Sequence, residues 1–181
     1  MLMGAGGFLF PFLPFWFSAD LNYLEDVAQA EGLQINFPTT SVSPSPAPAS
    51  PIPNRLTIPK IGVNMPLFTG TNANILLKGG WMFPNTSTPD LGGNTVIFGH
   101  RFRYLPPISN TLYNLDKMKI GDEFSIAWKG TTYRYRVRTT KIIEPTDFSV
   151  LAPSDTPILT LITCAPLFST KQRLVVIADQ L

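Results

Sequence analysis

Cysteine and histidine occur once each in the 181 residues, as Cys164 and His100. One thiol excludes an intramolecular disulfide, and one thiol with one imidazole excludes the Cys-rich and His-rich ligand sets of structural zinc. Charge is scarce as well. Asp, Glu, Lys and Arg make up 14% of the chain and the formal net charge is +2, with no cluster of Lys and Arg that could track phosphates, so nothing supports a nucleic-acid partner. The densest basic stretch, Arg134, Arg136 and Arg138, alternates with Tyr133, Tyr135 and Val137, which is the period of a strand with one solvated face. No internal repeat is visible. Hydrophobic residues make up 44%, enough for a folded core, and the length leaves room for one ordinary domain and a tail.

Residues 1–19 carry no charged side chain and include Phe8, Leu9, Phe10, Phe12, Leu13, Phe15, Trp16 and Phe17. A spanning helix needs about 20 apolar residues. Gly4, Gly6, Gly7, Pro11 and Pro14 weaken the run as a helix, and no basic region precedes it as a cleavable signal would require. We read it as a membrane anchor, an interfacial aromatic segment being the competing reading. A short amphipathic stretch follows, with Ser18 or Asp20 to cap it, Leu21, Leu24, Val27 and Ala28 on one face, and Gly32 to stop it. Pro38, Pro44, Pro46, Pro48, Pro51 and Pro53, set among Ser, Thr and Ala, then form a stiff spacer with no core of its own. The expected layout is an anchor at 1–19, a helical stub and spacer at 20–54, and a folded domain at 55–181. Such an order holds the domain away from a bilayer.

From residue 55 the pattern is β. Residues 56–61 are a short apolar segment interrupted by Pro59, which favours an edge or bulged strand. Residues 94–98 are a brief buried run opened by Gly92-Gly93, and residues 122–128 and 131–141 flank Lys129-Gly130, a connection that closes a hairpin. Residues 158–164 and 173–179 are apolar, β-branched runs. A helical turn is expected near residues 74–78. Many short strands with turn signals between them imply a small closed barrel or sandwich.

Cys164, His100 and Arg173 each stand at the end of one of these apolar runs. Singly, each has an ordinary structural explanation: a small buried hydrophobe, a satisfied histidine, a solvated charge. Together they form the minimal kit for acyl transfer if a barrel brings the three ends to one rim. A thiol becomes a nucleophile when ionised, and neighbouring cations favour the thiolate. An imidazole can protonate a leaving amine, and a guanidinium can donate to an oxyanion or to substrate carbonyls.

The segment Thr160-Leu161-Ile162-Thr163-Cys164 resembles the sortase signature Thr-Leu-x-Thr-Cys, and Arg173 stands nine residues later. Gly93-Asn94-Thr95-Val96-Ile97-Phe98-Gly99-His100-Arg101 is similar to the sortase segment around its histidine. Residues 58–63 resemble the first barrel strand, and residues 121–123 the opening of the strand after the histidine loop. The likeness runs in order over residues 55–178, with a pattern at residues 78–93 closest to class D or E enzymes.

The resemblance implies a mainly β fold, a closed sortase-type barrel of seven to eight strands with short helices or 3-10 turns in its connections. It implies a cysteine transpeptidase of the hydrolase class, with Cys164 as nucleophile, His100 as acid and base, and Arg173 as the group that holds substrate and stabilises the tetrahedral intermediate. Thr163, Ile142, Ile143 and Glu144 are the candidate substrate-binding residues, within or beside a groove-shaping segment at 142–157. No cofactor is expected. Some sortases bind calcium near that segment, but Glu144, Asp147 and Asp155 are too thin a ligand set for a metal site here. Implied partners are surface proteins or pilins with a C-terminal sorting signal and an amine acceptor of the cell envelope, the domain lying on the extracytoplasmic side of the cell membrane. The end of the chain at Leu181 argues against classes with a second, C-terminal membrane segment. A papain-like hydrolase fits poorly, because that family places its Cys well before its His. An inactive sortase-fold peptide-binding module is the alternative.

Overall fold

The structure is a computed structural model that describes residues 53–105 and 107–181. The expected anchor at 1–19 and the stub and spacer up to residue 52 lie outside the described residues. No helix among the described residues is long and apolar enough to cross a membrane.

Eight strands are described: β1 (Arg55–Ile58), β2 (Val63–Thr69), β3 (Gly80–Met82), β4 (Asn94–Phe98), β5 (Glu123–Trp128), β6 (Thr131–Ile143), β7 (Ile158–Ala165) and β8 (Gln172–Gln180). They close into a barrel in the order β1-β2-β3-β4-β7-β8-β6-β5, sealed by antiparallel pairing of β1 with β5. Closure leaves no unpaired edge to recruit another chain. Short 3-10 turns at Pro59–Ile61, Ala73–Leu77, Leu115–Lys117 and Ser149–Leu151 occupy the connections.

The strongest sequence signals map onto strands almost residue for residue. Lys129 (φ 49°) and Gly130 (φ 82°) both take positive φ between β5 and β6, as a two-residue hairpin with the right-handed twist demands. Pro59 behaves differently from the expectation. With no N–H to give a ladder, it opens a 3-10 turn instead of interrupting a strand. Residues 58–63, which resemble a first barrel strand, therefore run from the last residue of β1 through a turn at 59–62 to the first residue of β2. Two strands carry too little pattern to be read from sequence. β2 contains Pro66, and β3 is three residues long.

The barrel interior is filled by one apolar cluster, including Leu56, Met65, Ile126, Tyr135, Leu159, Leu161 and Val176. A second cluster lies on the outer face of β4, β7 and β8. It comprises Val96, Ile143, Val150, Ile162 and Val175, with Phe83, Phe98, Leu151 and Ile177 packed against it. Strands covered on both faces read as continuous apolar runs instead of alternating ones, which explains β4 and β7. The connection from β6 to β7 covers this outer face, and buried Asn94 ties it down. Its Nδ2 donates to the carbonyls of Val150 (3.0 Å) and Ala152 (2.9 Å), and its Oδ1 accepts from Thr160 Oγ1 (2.8 Å).

Candidate active site

Cys164 is the penultimate residue of β7, and on its β8 side the directly opposed residue is Arg173. On the other side β7 runs parallel to β4, with Phe98 paired to Ile162. The β4–β7 ladder ends at that pair, and His100 follows Phe98 by two residues as Cys164 follows Ile162. One strand beyond β8, Ile143 of β6 is opposite Arg173. Residues opposed in this way share a face of the sheet, and Ile162 and Val175, two positions along, belong to the outer cluster. The row Ile143, Arg173, Cys164 thus crosses β6, β8 and β7 on the outer face, at one end of the outer cluster, and His100 follows two residues past the end of β4.

Ile143 reaches this row through an irregularity. The β6–β8 register shifts between Val137 and Thr139. Since side chains alternate with period 2, one extra residue moves everything beyond it to the opposite face. Val137 lies in the interior cluster, whereas Ile143 lies in the outer one.

The backbone around His100 is held from several directions. Gly99 N–H donates to the Ile162 carbonyl (3.1 Å), and the His100 carbonyl accepts from Leu112 N–H (2.8 Å). The Gly99 carbonyl accepts from Thr163 Oγ1 at 2.8 Å. A Cβ at Gly99 would come within 2.8 Å of Leu112 Cδ1 and 2.9 Å of Leu112 Cγ. The glycine before the histidine is required by this close approach.

Electrostatics set the resting state. Burial pushes the Cys164 thiol above its ordinary value, and the guanidinium groups of Arg173 and Arg101 pull it back. Burial, helped by the charge of Arg103, lowers His100 to about 4. Near neutrality the dominant pair is therefore a neutral thiol with a neutral imidazole, and the thiolate–imidazolium pair is the minor form. Burial also lowers Arg173, opposed by its attraction to the thiolate, yet an arginine stays charged in such a setting. Arg173 is 5% exposed, and its Nη1 donates to the carbonyls of Thr170 and Gln172, both at 2.8 Å. The connection between β7 and β8 is thereby fixed to the arginine.

The remaining predicted residues divide. Ile143 stands in the row. Thr163 does not: it is buried, opposite Leu174 of the interior cluster, with its hydroxyl committed to Gly99. It faces away from the groove, because adjacent strand residues point to opposite sides. Ile142 lies opposite Leu174 and is exposed. Glu144 is at the surface, accepting from Gln172 Nε2 at 2.9 Å. Asp147 accepts from Ser149 N–H at 3.0 Å. No group of three or more His, Cys, Asp or Glu gathers as a metal site among the described residues. Sequence reasoning passed over Asn94 and Arg101 as individual residues, although both lie within the histidine segment. Asn94 is a polar residue opening an apolar run, and Arg101 is the residue directly after the histidine.

A family model described as "Sortase domain" matches residues 56–181. Sortase A of Listeria monocytogenes is 29% identical over 124 residues, covering 68% of this chain and 54% of that protein. The chain spans about half the length of the curated relatives it matches. Among solved structures, sortase C-1 from Actinomyces oris superposes with a TM-score of 0.64 at 29% identity, over 74% of this chain and 76% of that one. A Streptococcus pneumoniae sortase C, whose structure bears on pilin substrate specificity, gives 0.63 at 33% identity, over 70% and 65%. The matches do not single out class D or E. With the barrel, the opposed Cys164 and Arg173, and a family match over most of its length, the chain belongs to the sortase family.

Proposed function

We propose that the protein is a cysteine transpeptidase that cleaves a Thr–Gly-type bond in a sorting signal and passes the acyl group to an amine on the cell surface. The observation that carries this reading is that Cys164 has Arg173 directly opposite, at the end of the strand paired with the one that leads to His100. In the first half-reaction the Cys164 thiolate attacks the scissile carbonyl carbon. The Arg173 guanidinium donates to the developing oxyanion. The His100 imidazolium gives its proton to the departing amine as the C–N bond breaks, leaving a thioester on Cys164. In the second half-reaction an acceptor amine attacks the thioester and loses its proton to His100, and the thiolate leaves as the new amide forms.

Partners on this reading are surface proteins or pilins that carry a C-terminal sorting signal, and an amine of the cell envelope. Residues 1–19 would hold the chain in the cell membrane with the domain on the extracytoplasmic side. Several Leu-Pro-x-Thr-Gly-like peptides, incubated with the protein, should leave an adduct on Cys164 detectable by mass. An added amine should then divert product from free acid to amide. Cys164→Ala should abolish the adduct, and Arg173→Ala should slow its formation about a hundredfold or more. Peptides that bind without ever acylating Cys164 would overturn the transpeptidase reading in favour of an inactive binding module.

A further inference from the structure

The β4–β7 ladder ends at Phe98 and Ile162, so His100 lies beyond the last paired residue, on chain that is leaving the sheet. Its position relative to Cys164 needs another source. Thr163 Oγ1 supplies one tie, to the Gly99 carbonyl just before the histidine. Arg101, just after the histidine, supplies the other. Its Nη1 donates to the backbone carbonyl of Cys164 itself (3.2 Å), its Nε donates to the Tyr113 carbonyl (3.3 Å), and its Nη2 is 3.1 Å from Asp116 Oδ1. The three faces of one guanidinium thus join the end of β7 to two points of the connection that follows His100.

Arg101 is 5% exposed although its ionic partner Asp116 is at the surface. Burying a guanidinium carries a desolvation penalty that the interior recovers only through good geometry, and an apolar side chain would fill the same space without it. A buried fork with three differently placed acceptors is explained by what it positions.

We propose that Arg101 is a positioning residue that clamps His100 beside Cys164, through its bond to the Cys164 carbonyl and its anchorage on Tyr113 and Asp116. The clamp rests on the transpeptidase reading for its purpose but not for its geometry. It acts on the proton-transfer partner and not on the peptide groove, so it should affect kcat and leave KM alone. A lysine keeps the charge but cannot reach three acceptors as a planar fork does.

Because the chain has one histidine and one cysteine, two measurements on the full chain are unambiguous. Capping Cys164 with a methylthio group should shift the single imidazole NMR signal if the two side chains are neighbours. In Arg101→Lys that shift should fall below half its wild-type size, while kcat with a signal peptide drops at least tenfold and KM stays within twofold. An Arg101→Lys protein with the full shift and kcat within twofold of wild type overturns the clamp, as does a wild-type signal indifferent to the cap. Should Arg101→Lys lose its cooperative melt, Asp116→Asn at the exposed end carries the test. It should lower kcat at least threefold and reduce the shift, and no change in either overturns the proposal. If the wild-type protein turns over no peptide, the transpeptidase reading falls and the NMR shift alone decides the clamp.

Discussion

Replacing Thr163 by valine separates two roles that the signature motif leaves entangled. Lining the substrate groove would make this residue a KM determinant. The structure instead gives its hydroxyl to the Gly99 carbonyl at 2.8 Å, in a site where Thr163 is 2% exposed. Valine keeps the branched shape but withdraws the donor, leaving a buried carbonyl short of a partner, which costs about 1–3 kcal/mol. For a domain of this size each kcal/mol moves Tm by roughly 3–6 °C, so a fall of about 3 °C or more is expected, visible by calorimetry or urea titration. The Gly99 carbonyl is one residue from His100, so the loosened segment should also lower the rate of Cys164 acylation. Peptide KM should remain within twofold. A Thr163→Val protein with unchanged Tm and a KM raised severalfold would refute this assignment and return the residue to the groove.

Gly99→Ala should destabilise the domain by about 1–3 kcal/mol, because the new methyl meets Leu112 at under 3 Å; a urea midpoint equal to wild type would contradict the packing described. Arg173→Gln removes the larger of the two cationic influences that favour the thiolate, so the inflection in Cys164 alkylation by iodoacetamide should move to higher pH, and a downward shift would reverse the electrostatic assignment. His100 sits near 4 when folded and near its ordinary 6.5 when unfolded. The unfolded chain therefore binds more protons between those values, and stability is lost as pH falls from 6.5 toward 4, by at most on the order of 3 kcal/mol. His100→Gln should flatten that limb of the stability curve, and an equally steep limb would assign it to other groups.

The sequence by itself determined the class of fold and named the three candidate residues of the site. Periodicity is local, so the doubly covered strands β4 and β7 announced themselves as unbroken apolar runs, and Lys129-Gly130 announced its hairpin. The motifs around His100, Cys164 and Arg173 are local for the same reason. What sequence could not decide was anything carried by register between distant strands. Pro66 hid β2, β3 was too short to show a period, and Pro59 looked like an interrupted strand because a turn and a bulge share the same residue. Thr163 and Cys164 are neighbours in the motif, yet the strand's alternation sends one hydroxyl inward and the thiol outward. Ile143 joins the row only because β6 shifts register after Val137. The parallel β4–β7 pairing bridges about 60 residues of sequence. It sets the strand that leads to His100 beside the strand that leads to Cys164 through hydrogen bonds between them, and no local pattern in either strand encodes that pairing.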